Sequence, residues 1–221
     1  MASYTLVSNQ PSGQRLAHLR FQEPPESYVH PGQFIAVQAV DGVESSPAYF
    51  AIASSPGEPL ELLVKGQPGL ADALATLRPG QTVTASPAQG VGFQARSTLP
   101  RPLVCLVNGS ALSAVRPVIR EAMLDAREVH LLLGVLSEAH VPFGDEVLAW
   151  EAAGVLVHLV VDATAPASRH PRGFVQDHAA ALGLIRNDVA VVLCGFPAMQ
   201  ADATARYLAA GLAPEFVRVN Y

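Results

Sequence analysis

The sequence predicts two domains, an antiparallel β-barrel followed by an α/β domain with a parallel sheet. Three observations lead there. Residues 1–98 hold short alternating or apolar runs broken by Gly, Pro, Ser and Asn turns, the spacing of a small barrel or sandwich. From Arg101 onward strand-like and helix-like segments alternate over short connections, which implies a parallel sheet with helices on both faces. Within that second half, Ala190 to Cys194 is an unbroken apolar run with Asn187-Asp188 before it and Gly195 after it. Such a run suits a strand buried on both faces.

The barrel strands are expected at Tyr4–Ser8, Gln14–Phe21, Gln33–Val40, Tyr49–Ala53, Leu60–Val64 and Thr82–Ser86. Asn9–Gly13, Pro24-Pro25, Asp41-Gly42 and the Ser/Pro/Gly stretch Ser54–Pro59 supply the turns. Leu70 to Leu77 carries the helix-like pattern of this half, and Arg78-Pro79-Gly80 turns the chain into its last strand. Ala95 to Arg101 reads as the linker, so the domains are expected at 1–98 and 101–221. In the second half, strands are expected at Leu103–Val107, Val129–Leu133, Val155–Val161, Ala190–Cys194 and Phe216–Tyr221. Helices are expected at Ala111–Ala126, Phe143–Ala153, Phe174–Leu182 and Met199–Ala210.

The totals exclude several classes. Of 221 residues 50% are hydrophobic and 15% charged, which supports full cores and argues against disorder. The net charge is −5 and no basic cluster stands out, so nucleic acid is not an expected partner. No apolar run is long enough to span a membrane, and Met1-Ala2-Ser3-Tyr4 does not open a signal peptide, so a soluble, cytoplasmic protein with no membrane partner is expected. Cys105 and Cys194 each sit in a strand-like run and form no C-x-x-C, which leaves no disulfide framework. The 7 histidines are scattered without metal-ligand spacing, so no metal is expected and surface or strand-end positions are the default for them.

Several motifs, in order along the chain, resemble the ferredoxin–NADP⁺ reductase superfamily of flavin- and nicotinamide-binding oxidoreductases. Pro31-Gly32-Gln33-Phe34 matches its P-G-Q-[FY] strand entry, and Ala48–Ser54, A-Y-F-A-I-A-S, falls where the family has R-x-Y-S-I-A-S. Asn108–Ser113 falls on its G-[ST]-G-I-[AS]-P nucleotide loop. Leu133–Ser137 followed by Phe143–Glu146 is similar to its Y-G-x-R … F-x-x-E-L segment, and Cys194–Met199, C-G-F-P-A-M, to its strand-end motif. The resemblance implies a flavin-binding barrel joined to a nucleotide-binding α/β domain, with FAD and NADH or NADPH as cofactors.

Carried over residue by residue, it implies a flavin site at Tyr49, Phe50, Ala51 and Ile52, with Phe50 keeping a stacking face. Ala48 and Ala51 stand where the family has its Arg and Ser, which removes charge-assisted bonds worth about 1.5–3 kcal/mol each. Gly69, Leu70 and Ala71 match the phosphate turn, where backbone donors survive but the hydroxyl does not, and Asp72 opposes a phosphate. Gly109, Ser110 and Ala111 match the nucleotide loop, and Gly195, Phe196 and Met199 the strand-end motif. Cys194 and Tyr221 are the implied catalytic positions, the first near the nicotinamide and the second covering the flavin. Leu136 replaces an Arg that reaches the dinucleotide, which favours NADH over NADPH.

Each position has a plainer reading beside this one. Tyr49–Ala53 is also a barrel strand, Ser110 a helix start, and Cys194 a small hydrophobe. Arg116 and Arg120, four apart on the helix after the nucleotide loop, could pair with Glu121 or with a partner protein, but read first as a solvated face. Two functions follow. One is a flavin oxidoreductase passing electrons to an acceptor, an acceptor or regulated protein being the implied partner. The other is a non-catalytic binding protein that keeps the fold without the flavin. No C-x4-C-x2-C cluster motif is present, so an acceptor centre would lie elsewhere.

Overall fold

A computed structural model describes residues 1–66, 69–164 and 168–219. The first half forms β1 (Ala2–Pro11), β2 (Leu16–Phe21), β3 (Phe34–Val40), β4 (Val43–Ala51), β5 (Glu61–Lys65), α1 (Leu70–Ala75) and β6 (Thr82–Ala85). These strands make one antiparallel sheet in the order β4-β3-β6-β1-β2-β5. It curls until Ile52, just past β4, bridges Leu62 of β5. Alternation explains the inside: Tyr4, Leu6, Leu19, Phe21, Ile35, Val37, Leu62, Val64 and Val83 all project into one buried cluster.

The expected strands are present, with shifted ends. β1 runs on to Pro11 and β4 begins at Val43 rather than Tyr49, because β3 and β4 pair as one long hairpin across a bulge between Val37 and Ala39. Exposed Glu44–Ser46 carry no apolar alternation, so the pairing there comes from the hairpin and not from a buried face. The expected linker is not a loose connection. Ala95–Thr98 is a 3₁₀ turn, and Arg127 from the second half donates to Ala95 O, Thr98 Oγ1 and Arg101 O.

The second half contains β7 (Leu103–Asn108), α2 (Leu112–Leu124), β8 (Val129–Val135), α3 (Gly144–Ala152), β9 (Leu156–Val161), α4 (Val175–Ala181), β10 (Ala190–Cys194), α5 (Pro197–Ala209) and β11 (Val217–Val219). All five strands are parallel, in the order β11-β10-β7-β8-β9. Side chains of β7 alternate between two clusters. Leu103, Cys105 and Val107 join α2 and α3 on the face toward the barrel, while Val104 and Leu106 join α4 and α5 on the other. The first of these clusters also takes in Ala53, Leu63 and Phe93 of the barrel, so one core crosses from half to half. The expected closing strand ran to Tyr221, and that residue lies outside the described ones. Among the described residues no helix is long and apolar enough to cross a membrane.

Candidate functional site

The chain leaves β7 toward β8 and β9 on one side and reaches β10 and β11 on the other, so the strand order reverses between β7 and β10. Ligands of open parallel sheets bind beyond the carboxyl ends of strands at such a reversal. Here those ends are Asn108 and Cys194, on neighbouring strands where Cys194 registers with Val107. The next residues are Gly109–Ala111, a 3₁₀ turn leading into α2, and Gly195-Phe196, leading into α5. The 3₁₀ turn also touches β5, which brings the barrel to the same place.

Two glycines there do different things. Gly109 has φ +50°, and a Cβ on it would meet nothing within 4 Å. The space on its Cβ side is therefore open at the entrance of a helix, where a phosphate would find unpaired N–H groups. Gly195 has φ +147°, and its Cβ would fall 2.5 Å from Asn108 Oδ1. That glycine makes room for a side chain of this protein. Asn108 also accepts from Phe196 N at 3.4 Å and lies within 2.8 Å of where a Gly134 Cβ would stand. Asn108 lies in the nucleotide-loop motif, where nothing local gives it a role. Its position at a switch point between two glycines could be recognised only once β7, β8 and β10 were known to be neighbours.

Cys194 is partly buried and packs against the core that spans the two halves. Burial pushes its thiol up to about 12, so at neutral pH it is a protonated, polarisable wall and no thiolate nucleophile. Ala51 and Ala111 pack against the same core, so the end of β4, the turn after β7 and the strand-end Cys share one apolar cluster. Phe196 is 69% exposed. Met199, by contrast, is buried in the same cluster as Tyr207, and Ile52 is fully buried inside the barrel with its N–H bonded to Gln33 O, so both are core residues that present no side chain to a ligand.

On β4, Tyr49 is 67% exposed and packs edge-on to Phe34 with ring centroids 5.8 Å apart. Phe50 is half-buried and packs against the barrel core. Gly69 opens α1, and a Cβ on it too would meet nothing within 4 Å. Leu70 and Ala71 are half-buried, Asp72 stands in the first turn, and no side chain caps the helix. The residues present thus fit FAD in part: aromatic edges for a planar ring and open backbone for a phosphate, with methyl groups at Ala48, Ala51 and Ala71 where charge or hydroxyl would grip. Ser54 is no substitute, because it is fully buried and its Oγ accepts from Glu61 N. Tyr221 lies outside the described residues.

The reading of Arg116 and Arg120 as a solvated face is overturned. Arg116, on α2, is 7% exposed. Its Nη1 donates to Ala53 O at 2.7 Å and Glu61 Oε2 at 2.6 Å, its Nε donates to Glu146 Oε2, and its guanidinium sits 4.8 Å from the Phe143 ring centre. Arg120 Nη1 donates to Glu58 Oε2 at 2.8 Å. The reason is that this flank of α2 is covered by the barrel, which no local pattern reveals. His18 is also part of it, its Nε2 lying 2.9 Å from Glu61 Oε2, so the default of a surface or strand-end histidine fails there. Burial alone would raise the Glu61 carboxyl, but the hydrogen bond from His18 and the charge of Arg116 overcome it and bring it down to about 2. A cleft of about 700 Å³ opens beside this network, bordered by Arg20, Gln22, Glu58 and Arg120.

No family profile and no curated protein matches the sequence. Solved structures do match. The ferredoxin reductase in carbazole 1,9a-dioxygenase superposes with a TM-score of 0.83 at 18% identity, covering 99% of this chain and 68% of that one. The cytochrome P450 reductase GcoB of Amycolatopsis gives 0.84 at 21% identity, with 99% and 68% covered. The FAD/NAD-binding domain of a nitric oxide dioxygenase from Vibrio cholerae gives 0.83 at 14% identity, with 98% and 96% covered. The chain therefore has the two-domain fold of ferredoxin reductase-like proteins, a curled antiparallel sheet followed by a parallel sheet with helices. That is the fold class expected from the sequence.

Proposed function

We propose that this protein is a flavin-dependent oxidoreductase, with residues 1–98 as its flavin half and 101–221 as its nucleotide half. The observation that carries the reading is the meeting of Ala51, Ala111 and Cys194 on one core, below the open backbone of Gly109 at the strand-order switch. FAD would lie along Tyr49, Phe50 and Ala51, its phosphates toward Gly69–Ala71, with Tyr221 as the second face. The nicotinamide dinucleotide would lie over Gly109, Ser110 and Gly195, with Phe196 beside it. NADH suits this site better than NADPH because Leu136 offers no cation to a 2′-phosphate. When bound, the flavin would supply hydride acceptance and onward electron transfer to an acceptor protein.

The chain's own part is positioning and exclusion of water. Cys194 presents a neutral thiol, so no proton is exchanged with it near pH 7. Asn108 holds the Phe196 N–H and so fixes the turn on which a dinucleotide would rest.

A second reading, a non-catalytic binding protein on the same scaffold, is favoured by the three alanines at Ala48, Ala51 and Ala71. Fold alone does not decide between them. The visible spectrum of the purified protein and a titration of the colourless form with FAD do. A flavin spectrum, or saturable uptake of FAD followed by bleaching with NADH, is expected for the reductase; colourless protein that takes up no FAD establishes the second reading. Ala48→Arg should tighten FAD by about tenfold or more, since a charge-assisted bond to phosphate is worth about 1.5–3 kcal/mol.

A further inference from the structure

We propose that Arg116 is a positioning residue, a clamp that sets the separation between the flavin strand and the nucleotide loop. The proposal rests on the reductase reading and goes beyond it, because Arg116 lies outside the motif stretches Ala48–Ser54, Asn108–Ser113 and Cys194–Met199. Arg116 is one turn into α2, the helix that grows out of Gly109–Ala111. Its Nη1 holds the carbonyl of Ala53, which ends the A-Y-F-A-I-A stretch carrying Phe50 and Ala51. The same nitrogen reaches Glu61 on β5, directly across from Ala53, whose N–H is bonded to Glu61 O. Its Nε holds Glu146 on α3. One guanidinium thus joins both sides of the junction, and it is as buried as Glu61 itself.

The geometry needs an arginine. A planar fork can donate in several fixed directions at once, whereas an ammonium is a point charge on a flexible stem. Glu61 is further anchored by His18 and by Arg20 at 3.1 Å, so it stays put as the fixed post on the barrel side. Arg120, bound to Glu58, continues the same line of alternating charges outward. Hydride transfer depends steeply on the approach of donor and acceptor, and a shift of about 1 Å costs on the order of 100-fold. A joint that fixes two ligand-bearing elements therefore acts on the rate without touching either ligand.

The test compares Arg116→Lys with the wild type and with Arg96→Lys, which alters the exposed Arg96–Asp125 pair elsewhere. Protein loaded with FAD is mixed with NADH in a stopped-flow instrument, and FAD affinity is measured separately. Arg116→Lys should slow flavin reduction by about 10- to 100-fold while FAD affinity stays within about threefold, a split that a loss of folding would not produce. Arg96→Lys should leave both unchanged. In flavin-free protein, amide exchange over residues 50–54 and 109–114 should quicken in Arg116→Lys alone. Should Arg116→Lys not fold, Glu146→Gln loosens the same guanidinium and carries the same comparison. Wild-type reduction rates together with wild-type exchange in the folded variant overturn the clamp. If the wild type takes up no FAD, the reductase reading falls, and the exchange experiment alone decides the clamp: faster exchange at both segments supports it and unchanged exchange overturns it.

Discussion

Glycines 109 and 195 sit at matching places in two strand-end turns, yet their surroundings assign them different work. Gly195 combines φ +147° with a contact to Asn108 that no methyl group could share. Gly195→Ala should therefore destabilise the fold by about 1–3 kcal/mol, read as a lower urea midpoint. Gly109→Ala meets open space, so its cost is the φ +50° alone, about 1–2 kcal/mol. If a dinucleotide rests on that backbone, the new methyl group should raise the KM for NADH by far more than this cost to the fold suggests. Equal KM values for Gly109→Ala and wild type would remove Gly109 from the site. The sequence announced both glycines, but which was structural depended on Asn108, 87 positions before Gly195 in the chain and beside it in space.

Among the elements, α1 depends most on its neighbours. Six residues are too few for a helix to hold itself in water, and its start has no side-chain cap. Leu74 anchors it in the barrel core, and Asn9 of β1 donates its Nδ2 to both Ala75 O and Leu77 O, 2.9 and 3.0 Å away. The Ala75 carbonyl is an orphan of the helix end and that of Leu77 lies just beyond it, and one side chain satisfies both from another strand. Asn9→Ala should cost about 1–2 kcal/mol in unfolding and, since α1 opens at Gly69, weaken FAD binding as well. Calorimetry paired with FAD titration separates the two effects; unchanged unfolding would mean that Leu74 alone holds the helix. The helix itself was visible as a pattern at 70–77, whereas its dependence on Asn9 spans 66 and 68 residues and leaves no local trace.

For the molecule as a whole, the charged joint ties stability to pH in a definite direction. Glu61 titrates near 2 in the folded chain against an ordinary 4.5, chiefly because the His18 hydrogen bond and the Arg116 charge outweigh its burial. A lowered carboxylate pKa contributes stability that is complete above about pH 4.5 and is lost as pH falls toward 2. Wild-type protein should lose stability across that window and Glu61→Gln, already weaker at pH 7, should lose less. Parallel slopes for the two proteins would show that the joint does not depend on the Glu61 charge. The same window is where the two halves should begin to part, because Glu61 and Ala53 are the barrel's hold on Arg116.

The order of strands and helices, the division into an antiparallel and a parallel half, and the apolar faces of β7 and β10 were determined by the sequence alone. They arise from short-range periodicity, which each segment carries within itself. The motifs at Ala48–Ser54, Asn108–Ser113 and Cys194–Met199 were equally legible, being contiguous. Only the tertiary structure decided which charges are buried. Arg116 and Arg120 look alike on their helix and both find partners in the barrel, but Arg116 is buried between partners 55 and 63 residues back, while Arg120 stays half-exposed on Glu58, 62 residues back. A charge is set by what surrounds it in space, and the surroundings of a domain joint come from segments that the chain brings together only when both halves have folded.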